Sequence, residues 1–307
     1  MNDTEFMKVN VLPTRTWNGL SVNESYVKWD SSLESDLGNE MIDIKENGQI
    51  VKFSVAGKGQ FSKKNISISV GAGITGTVYE IFEPTASLSA TTDIFMGDGA
   101  SLKLVQIYKS ETDAAVIERV TAKCPEGSRL ETVKLVLGRG DTYTDTNVTL
   151  EGCKSSYKAD IGYFAAGTQR LDFNVAVDHF GKDTESEINA AGALKDAASK
   201  VFRGTIDFKT GSAGSVGNEH ETVLMLGDNV INKTVPLILC AEENVVGNHG
   251  ATIGELDDDT LFYFESRGID RETAENILAK ASVERVARSL DDKELSESIM
   301  DELNSLF

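Results

Sequence analysis

The 307-residue sequence has few of the features that mark membrane, secreted or nucleic-acid-binding proteins. Its longest unbroken apolar run, 235–241, has seven residues, whereas about 20 are needed to span a bilayer. No charged-then-apolar leader opens the chain, so we expect no signal peptide. Only 30 basic residues oppose 49 acidic ones, and the net charge of −19 disfavours contact with nucleic acid or an anionic membrane. We therefore expect a cytoplasmic protein with no nucleic-acid or membrane partner.

Cysteine and proline are also scarce. The three cysteines, Cys124, Cys153 and Cys240, are far apart and odd in number, which excludes a disulfide framework and a CxxC metal knuckle. A reducing compartment fits this usage. Four prolines against 27 glycines indicate many tight turns with glycine at the corners, as in β-rich chains.

Conventional catalytic motifs are missing from the sequence. It contains no GxxxxGK[ST] phosphate loop, no GxSxG nucleophile elbow and no HExxH zinc motif. Because the whole chain has three histidines, a histidine-rich metal site within one subunit is disfavoured. We expect a protein that is not an enzyme.

What the sequence does contain is a series of short segments in which apolar and polar residues alternate. This period of two, together with many β-branched residues, predicts β strands. No helical stretch separates them, so βαβ units are disfavoured. The clearest segments are Asn65–Val70, Ser101–Tyr108, Leu130–Leu137, Arg170–Val177 and Val201–Phe208.

Glycine corners recur between these strands at a nearly regular spacing. Gly99, Gly127, Gly152 and Gly181 are 28, 25 and 29 residues apart, a period that fits one turn of a solenoid. We therefore predict a β-helix core over 46–250, after an N-terminal leading segment, 1–45. An antiparallel β-sandwich is the competing architecture.

The last segment, 251–307, is predicted to form a small helical domain. Asp258 or Asp259 can cap a first helix that Gly268 ends, Asp270 can cap a second, and Asp291 or Asp292 a third. Apolar stripes follow on the second and third helices, at Ala274, Ile277, Leu278 and Ala281, and at Leu295, Ile299, Leu303 and Leu306. From Gly254 onward, 15 acidic residues oppose 6 basic ones, which suits either a solvated face or a docking surface for a basic partner.

A few residues could carry chemistry. His220 lies between Glu219 and Glu221 like a metal clip, but neighbours on a strand point to opposite faces, so only the two glutamates share a side. His249 precedes the helical zone and can serve a partner surface or cap a turn. Cys240 ends the apolar run and is expected to be inward and inert.

Longer segments resemble the SufB/SufD family, the scaffold proteins of SUF-type iron–sulfur cluster assembly. The resemblance runs through QRLDFNVAVDHFGKDTESEI (169–188) and SKVFRGTIDFKTGSAGSVGNEHETVLML (199–226). It continues through 235–281, where HGATIG is followed by LFYFESRGI. The early PTRTWNGLSVN (13–23) is also similar to the first segment of compact family members.

The resemblance implies a right-handed parallel β-helix with a C-terminal helical domain. It also implies a SufC-type ABC ATPase as a partner, bound through the C-terminal helical region. A second SufB/SufD-type subunit, or a second copy of this chain, would pair through the end of the β-helix. An iron–sulfur cluster would form transiently at that interface, and movement of the ATPase would open it. The chain itself would bind no nucleotide.

Residue by residue, the family histidine of the HGAT motif falls on His249. The SufB cysteine that receives sulfur aligns with His220, which cannot carry a persulfide but can bind iron. Gly247 and Gly250 stand where many SufB chains have a cysteine and an acidic residue, and Cys240 matches no family cysteine. These departures disfavour direct sulfur acceptance by this chain.

Our hypothesis is that His249 and His220, with Glu219 or Glu221, face a partner subunit and bind a nascent cluster, with Cys240 as a weaker candidate. The alternative functions are a carbohydrate-active β-helix and a structural β-helix that polymerises end to end. The sequence has 7% aromatic residues and no carboxylates at catalytic spacing, which disfavours the first, and the C-terminal helices would obstruct the second.

Overall fold

The computed structural model describes residues 6–16, 18–110 and 112–306. The chain folds as a parallel β-solenoid of eight turns, here called coils. Each coil gives one strand to each of two eight-stranded sheets, and the sheets face each other across one apolar core. All strand pairs within these two sheets are parallel, so the solenoid prediction is confirmed and the antiparallel sandwich is wrong.

The strands alternate between the two sheets along the chain. A short antiparallel hairpin comes first, formed by β1 (Phe6–Val9) and β2 (Ser25–Lys28). The odd sheet contains β3 (Glu34–Ile44), β5 (Phe61–Val70), β7 (Ser87–Met96), β9 (Val116–Cys124), β11 (Thr142–Leu150), β13 (Arg170–His179), β15 (Ser199–Phe208) and β17 (Ile231–Cys240). The even sheet contains β4 (Gln49–Val55), β6 (Thr75–Phe82), β8 (Ser101–Tyr108), β10 (Arg129–Val136), β12 (Ser156–Ala165), β14 (Glu185–Lys195), β16 (Val216–Leu226) and β18 (Val246–Gly254).

Three helices follow the last coil: α1 (Asp258–Ser266), α2 (Arg271–Ala287) and α3 (Lys293–Leu306). Asp270 caps α2 as expected, while α1 is capped by Asp257, one residue before the predicted Asp258 or Asp259. Asp292 accepts a hydrogen bond from the backbone N–H of Leu295 at the start of α3, 2.9 Å away. None of the helices in the described residues is long and apolar enough to cross a membrane.

The apolar stripe of α2 differs from the predicted one. Ala274 is buried as expected, but Ile277 and Ala281 are exposed. The side of α2 that packs on the even sheet instead carries Ala279, Val283, Val286 and Ala287. On α3 the predicted Leu295, Ile299 and Leu303 are buried, whereas the side chain of Leu306 lies outside the described residues.

The corners that begin each coil stack on one another. At one stacked position the backbone φ is positive, and the residues there are Gly73, Gly99, Gly127, Lys154, Asp183 and Gly214. Each donates its backbone N–H to the following coil, as Gly99 does to the carbonyl of Glu126 at 2.8 Å. The predicted Gly152 and Gly181 lie two residues before this position and serve close approach of the backbone. A Cβ on Gly152 would lie 2.0 Å from the nitrogen of Glu126. The 25-residue interval between Gly127 and Gly152 in the sequence therefore compares two different positions of the corner.

Replacing Lys154 by glycine is expected to stabilise the fold by about 0.5–1 kcal/mol. Lys154 is exposed at a φ of 58°, a conformation that is unfavourable for residues with a Cβ. Gly127 has a φ of 64° at the same corner position one coil earlier, so Gly127→Ala should destabilise by about 1 kcal/mol. Urea unfolding of both variants checks the prediction. If both substitutions changed the free energy of unfolding equally and in the same direction, the backbone φ at this corner would not control stability.

An N-terminal strap, defined as residues 6–16 and 18–30, crosses the outer face of the odd sheet. The hairpin residues Val9 and Val27, with Trp29, pack on Ile117 and Tyr143. Farther toward the last coil, two strap side chains join a second apolar cluster made of Leu12, Val22, Val201 and Val235. The strap therefore ties coils in the middle of the solenoid to those at its C-terminal end. Residues 1–5 and 17 of the predicted leading segment lie outside the described residues.

The solenoid interior is not uniformly apolar. Glu80, Gln106 and Lys134 lie in register on consecutive strands of the even sheet and point inward. Lys134 Nζ lies 2.7 Å from Glu118 Oε2 on the facing odd sheet, and both side chains are buried. Burial raises the pKa of Glu80 to about 7, although a hydrogen bond from Gln106 opposes the rise.

Candidate functional site

The C-terminal end of the solenoid is uncapped by any further coil in the described part of the chain. Strands β17 and β18 are the outermost strands of their sheets, so each has a hydrogen-bonded neighbour on one side only. Inward-facing positions of this last coil are consequently open at the end of the core. The predicted residues Glu219, Glu221, Cys240 and His249 all occupy inward register positions in the last two coils.

A charged cluster lies just inside this open end. Glu219 and Glu221 on β16 point inward and are 4% and 0% exposed. Lys200 on β15 makes an ion pair with Glu221, and Thr234 on β17 donates a hydrogen bond to the other oxygen of Glu221 at 2.6 Å. Burial lowers the pKa of Lys200, while the nearby carboxylate of Glu219 opposes that shift.

Glu219 is the least satisfied member of the cluster. Its side chain points across the core at Gly204, where a Cβ would lie 2.4 Å from the carboxyl carbon. Its Oε2 is buried and has no hydrogen-bond partner in the described residues. Burial raises the pKa of Glu219 to about 7, and Lys200 acts in the opposite direction. An unsatisfied buried carboxylate of this kind has the capacity to bind a proton or a cation.

His249 lies directly above Glu219. The two residues pair in register on β18 and β16, and neighbouring strands are about 4.8 Å apart. His249 therefore belongs to the inward side of the sheet, yet it is exposed because no coil covers it. An imidazole over a carboxylate is a ligand pair suited to iron.

His220 lies on the other side of the sheet. It pairs in register with Asn189 and Gly250 and is exposed on the outer face. A Cβ on Gly250 would lie 3.4 Å from His220 Nδ1, so the ring leans over that glycine. The alternation expected from the sequence thus holds, and within one chain the even sheet separates His220 from His249.

Cys240 differs from its expected environment. Its register partner is the inward Phe208, so the orientation was anticipated, but the thiol is exposed because the last coil is open. Cys240 Sγ donates to the carbonyl of Glu242 at 3.0 Å. Gly204, which faces Glu219, pairs with Pro236, so Pro236 lies opposite His249. Cys240 is four residues farther along β17, about 13 Å away at 3.3 Å per residue. Cys240 is therefore not a neighbour of His249.

The described residues contain no group of three or more His, Cys, Asp or Glu side chains arranged to hold a metal ion. His249 and Glu219 provide at most two adjacent ligands. A tetrahedral iron site needs four.

The edges of the solenoid differ in how well they are protected from pairing. Strand β17 carries Lys233 and Pro236. At the opposite end, β3 has a bulge between Asp36 and Asn39, and β4 carries Lys52. Proline, charge and bulges all discourage the addition of another strand. Strand β18, with the sequence VGNHGATIG, has none of these features. It is the edge most open to a partner strand.

A second exposed feature lies on the helices. Helix α1 has no buried residue, and its Phe262 and Tyr263 are 72% and 56% exposed. Ile277 on α2 is 43% exposed, and Arg267 lies 5.1 Å from the Tyr263 ring centre. These three exposed side chains, on two helices that contact each other, are here called the helical patch (Phe262, Tyr263 and Ile277). Exposed apolar side chains are a feature of protein interaction surfaces where they are contiguous.

Sequence reasoning missed two members of the end cluster, Lys200 and Thr234. Both lie at inward positions of their strands. In SKVFRGTIDF the lysine is two residues before the inward phenylalanine, so the period of two predicts that Lys200 also points into the core. This inward lysine is the sequence feature from which the cluster could have been predicted. Its partner on the facing sheet could not be identified without the pairing of the coils.

Comparisons with known proteins agree with this architecture. The sequence model described as the SufBD core domain of SUF system FeS cluster assembly matches residues 52–282. The chain is 27% identical over 194 residues to the iron–sulfur cluster assembly protein SufD of Bacillus subtilis, which covers 63% of this chain and 44% of that protein. It is 24% identical over 237 residues to an iron–sulfur cluster assembly SufBD family protein of Staphylococcus saprophyticus, covering 76% of this chain and 50% of the relative.

A plant relative gives the same result. The chain is 22% identical over 227 residues to a chloroplastic iron–sulfur cluster assembly SufBD family protein of Arabidopsis thaliana, covering 70% of this chain and 41% of the relative. The chain thus spans half or less of the length of these curated relatives. The matched region extends from β4 into α2 and so includes both the open end and its charged cluster. Since that match covers most of the sequence, the chain belongs to the SufB/SufD family.

Proposed function

We propose that the chain is a non-enzymatic scaffold subunit for iron–sulfur cluster assembly in a SUF-type system. The observation that carries the proposal is the uncapped last coil, where His249 lies above the unsatisfied carboxylate of Glu219. Family membership favours this function over the carbohydrate-active and structural β-helix alternatives. Iron and sulfide are the cargo, held transiently and passed on, and the compartment is the cytoplasm.

Pairing through β18 would complete the site. A partner strand that adds to the unprotected edge of β18 extends the even sheet, as in other edge-strand recognition. Side chains on such a strand lie within about 5–8 Å of their cross-strand neighbours, close enough to share a metal with His249. The partner is a SufB/SufD-type subunit or a second copy of this chain, and it supplies the thiolate ligands that are lacking next to His249.

His249→Ala is expected to reduce cluster retention at least about tenfold. Loss of the imidazole removes one of two ligands, and even outer-shell changes around metals weaken binding 10- to 100-fold. The measurement is anaerobic reconstitution of the chain with its pairing subunit and a SufC-type ATPase, followed by iron and sulfide analysis.

His220→Ala is the matched control for that experiment. It removes the same chemical group from the adjacent coil, but on the outer face of the sheet. We expect near-normal iron and sulfide in this variant. Undiminished cluster in both variants would exclude His249 as a ligand.

The ATPase partner would dock on the helical patch. The patch is apolar, and the acidic residues Asp258, Asp259, Glu265 and Glu272 lie on the same two helices. Other acidic residues of this region are already engaged within the chain, since Lys103 and Lys52 pair with Asp291 and Asp292. A partner with a basic rim and an apolar centre fits this surface.

Phe262→Ala combined with Tyr263→Ala is expected to weaken ATPase binding at least about tenfold, because central aromatic residues dominate interface energetics. Raising the salt concentration should weaken binding of the unaltered chain further, through screening of the acidic rim. Titration with a fluorescently labelled SufC-type ATPase at several ionic strengths checks both effects. Phe95→Ala is the control, since Phe95 is 59% exposed on the outer face of the odd sheet. If the double variant and the Phe95→Ala control bound the ATPase with equal affinity, the helical patch would not be part of the interface.

A further inference from the structure

One inward position close to the open end of the solenoid has no side chain. The buried, inward residues of β15 are Lys200, Phe202, Gly204, Ile206 and Phe208. In the two preceding coils the register position of Gly204 is occupied by Val175 and Thr146, both of which have branched side chains. A glycine inside a strand weakens it and often marks a place where another group approaches the backbone closely.

The backbone does not require glycine at this position. Gly204 pairs in register with Val175 and Pro236 within a regular parallel sheet. Its φ lies outside the left-handed region, so a residue with a side chain could adopt the same backbone conformation. The reason for the glycine is therefore the space that it leaves in the core.

The carboxylate of Glu219 fills that space. A Cβ on Gly204 would lie 2.4 Å from the carboxyl carbon and from Oε2 of Glu219, and 2.5 Å from Oε1. In a close-packed interior these distances leave no room for even one methyl group. All three contacts are with the end of one side chain, so an alanine at this position would displace the carboxylate and leave the backbone in place.

The position of the carboxylate decides which cation it meets. Lys200 is the positively charged group that acts on Glu219, but its ion pair is with Glu221. Within the described residues no ion pair joins Lys200 to Glu219, and Oε2 of Glu219 has no hydrogen-bond partner. A carboxylate in contact with Gly204 therefore keeps its capacity to bind a cation that enters from the open end.

We propose that Gly204 is a positioning residue for the cation site at the open end. The space left by its missing side chain holds the Glu219 carboxylate beneath His249 and apart from the Lys200 ammonium group. A displaced carboxylate would meet that ammonium group and would no longer bind cargo. The inference rests on the proposed function for the identity of the cargo as iron, whereas the contact between Gly204 and Glu219 does not depend on it.

Co²⁺ binding to the isolated chain tests the inference, with Co²⁺ standing in for Fe²⁺ and its visible absorption reporting the ligands. The chain carries no affinity tag and contains His220→Ala, Cys153→Ser and Cys240→Ser, which remove the exposed imidazole and thiols outside the site. In this background, His249→Ala identifies the part of the binding that belongs to the site. Gly204→Ala should weaken that part at least about tenfold, as expected for a change that acts through a ligand.

Two further variants separate positioning from a general loss of stability. Gly217→Ala is the matched control, because Gly217 lies on the same strand as Glu219 and its Cβ would lie 2.7 Å from the Ile206 side chain. It crowds the same coil without touching the carboxylate, so the Co²⁺ affinity should stay unchanged. Combining Gly204→Ala with Glu219→Asp shortens the acid by one carbon where alanine adds one. This double variant should bind Co²⁺ more tightly than Gly204→Ala alone, which a purely destabilising methyl group would not allow.

Unchanged Co²⁺ binding in Gly204→Ala overturns the inference, as does an equal loss in Gly217→Ala or a double variant that binds no better than Gly204→Ala. The inference also fails if His249→Ala does not reduce Co²⁺ binding, since the chain then has no site for Gly204 to position. The proposed function is tested separately, by anaerobic reconstitution of the unaltered chain with its pairing subunit. If Co²⁺ binding depends on Gly204 but no cluster forms on reconstitution, the positioning role stands and the scaffold role is contradicted.

Discussion

Replacing Lys134 by methionine is expected to destabilise the fold by about 3–5 kcal/mol. Lys134 Nζ lies 2.7 Å from Glu118 Oε2, 2.5 Å from Gln106 Oε1 and 3.3 Å from the hydroxyl of Tyr108. The lysine and Glu118 side chains are 1% and 0% exposed. Methionine fills a similar volume but leaves Glu118 and Glu80 buried without a cation. Chemical unfolding monitored by circular dichroism measures the loss.

The control is Lys158→Met on the outer face of the even sheet. Lys158 pairs with Asp160 at 2.7 Å, but its side chain is 43% exposed, and surface pairs contribute about 0–1 kcal/mol. If the two substitutions destabilised the protein equally, the interior pair would be no stronger than a surface pair.

The pH dependence of Lys134→Met gives a second check. Burial already raises the pKa of Glu80 to about 7 in the intact chain. Lys134 lowers the pKa of Glu80, so removal of its ammonium group raises that pKa further. A carboxyl pKa that is higher in the folded than in the unfolded state costs stability at pH values above the unfolded-state pKa, and the cost falls as the pH is lowered. The deficit of the variant should therefore be smaller at pH 5 than at pH 7.5. A larger deficit at pH 5 would mean that the buried carboxylates are not the cause.

The interior network shows where sequence patterns stop being informative. Alternation correctly predicted the strand 101–108, and it correctly assigned opposite faces to Glu219 and His220. The same alternation places Glu80 and Lys134 inward, where a polar residue contradicts the usual pattern. Their stabilising partners on the facing sheet are Glu118, which pairs with Lys134, and Thr92, which donates a hydrogen bond to Glu80. Only the stacking of coils brings these residues together.

The corners and helices make the same point on a smaller scale. Glycine spacing predicted a solenoid because tight turns recur once per coil, but Lys154 and Asp183 occupy the positive-φ position in two coils. Local sequence did not reveal this, because the stacked hydrogen bonds of neighbouring coils impose that conformation. For α2, the short stripe around Ile277 resembled a core face, whereas the even sheet selects the longer face that contains Val283.

The candidate site depended on knowing which coil is last. The position of His249 followed from the family resemblance, and its inward side follows from register with Glu219. The exposure of Cys240 could not be predicted from its apolar neighbours, since it results from the absence of a further coil in the described residues. Whether a thiol at an inward position is buried therefore depends on the coil stacked above it, which the local sequence pattern does not show.

The N-terminal strap should be released by loss of a single buried carboxylate. Asp172 on β13 pairs with Arg203 and accepts hydrogen bonds from the strap residues Asn10 and Ser25. Arg203 Nε donates to the carbonyl of Val22, 2.6 Å away. All these groups lie between the strap and the odd sheet, and Asp172 and Arg203 are fully buried. The cluster joins strap and sheet through charged groups that water cannot reach.

Asp172→Ala is accordingly expected to destabilise the fold by about 3–5 kcal/mol, since it leaves the Arg203 guanidinium buried without a counter-charge. The strap should then become open to trypsin, with faster cleavage at Lys8, Arg15 and Lys28. Unfolding curves and limited proteolysis measure the two effects. Lys123→Ala is the control on the same outer face, because Lys123 pairs with Glu151 at 2.9 Å with its side chain 69% exposed.

The double replacement Asp172→Leu with Arg203→Met separates charge burial from packing. Removing both charges leaves no unpaired ion, so the double variant should be more stable than Asp172→Ala, although it still lacks the hydrogen bonds to the strap. The effect should also reach the candidate site, because Lys233 on β17 donates to the carbonyl of Leu20 in the strap at 2.8 Å. Faster hydrogen exchange in β17 of Asp172→Ala than in the unaltered chain is the expected result. Unchanged exchange there would show that the last coil is held independently of the strap.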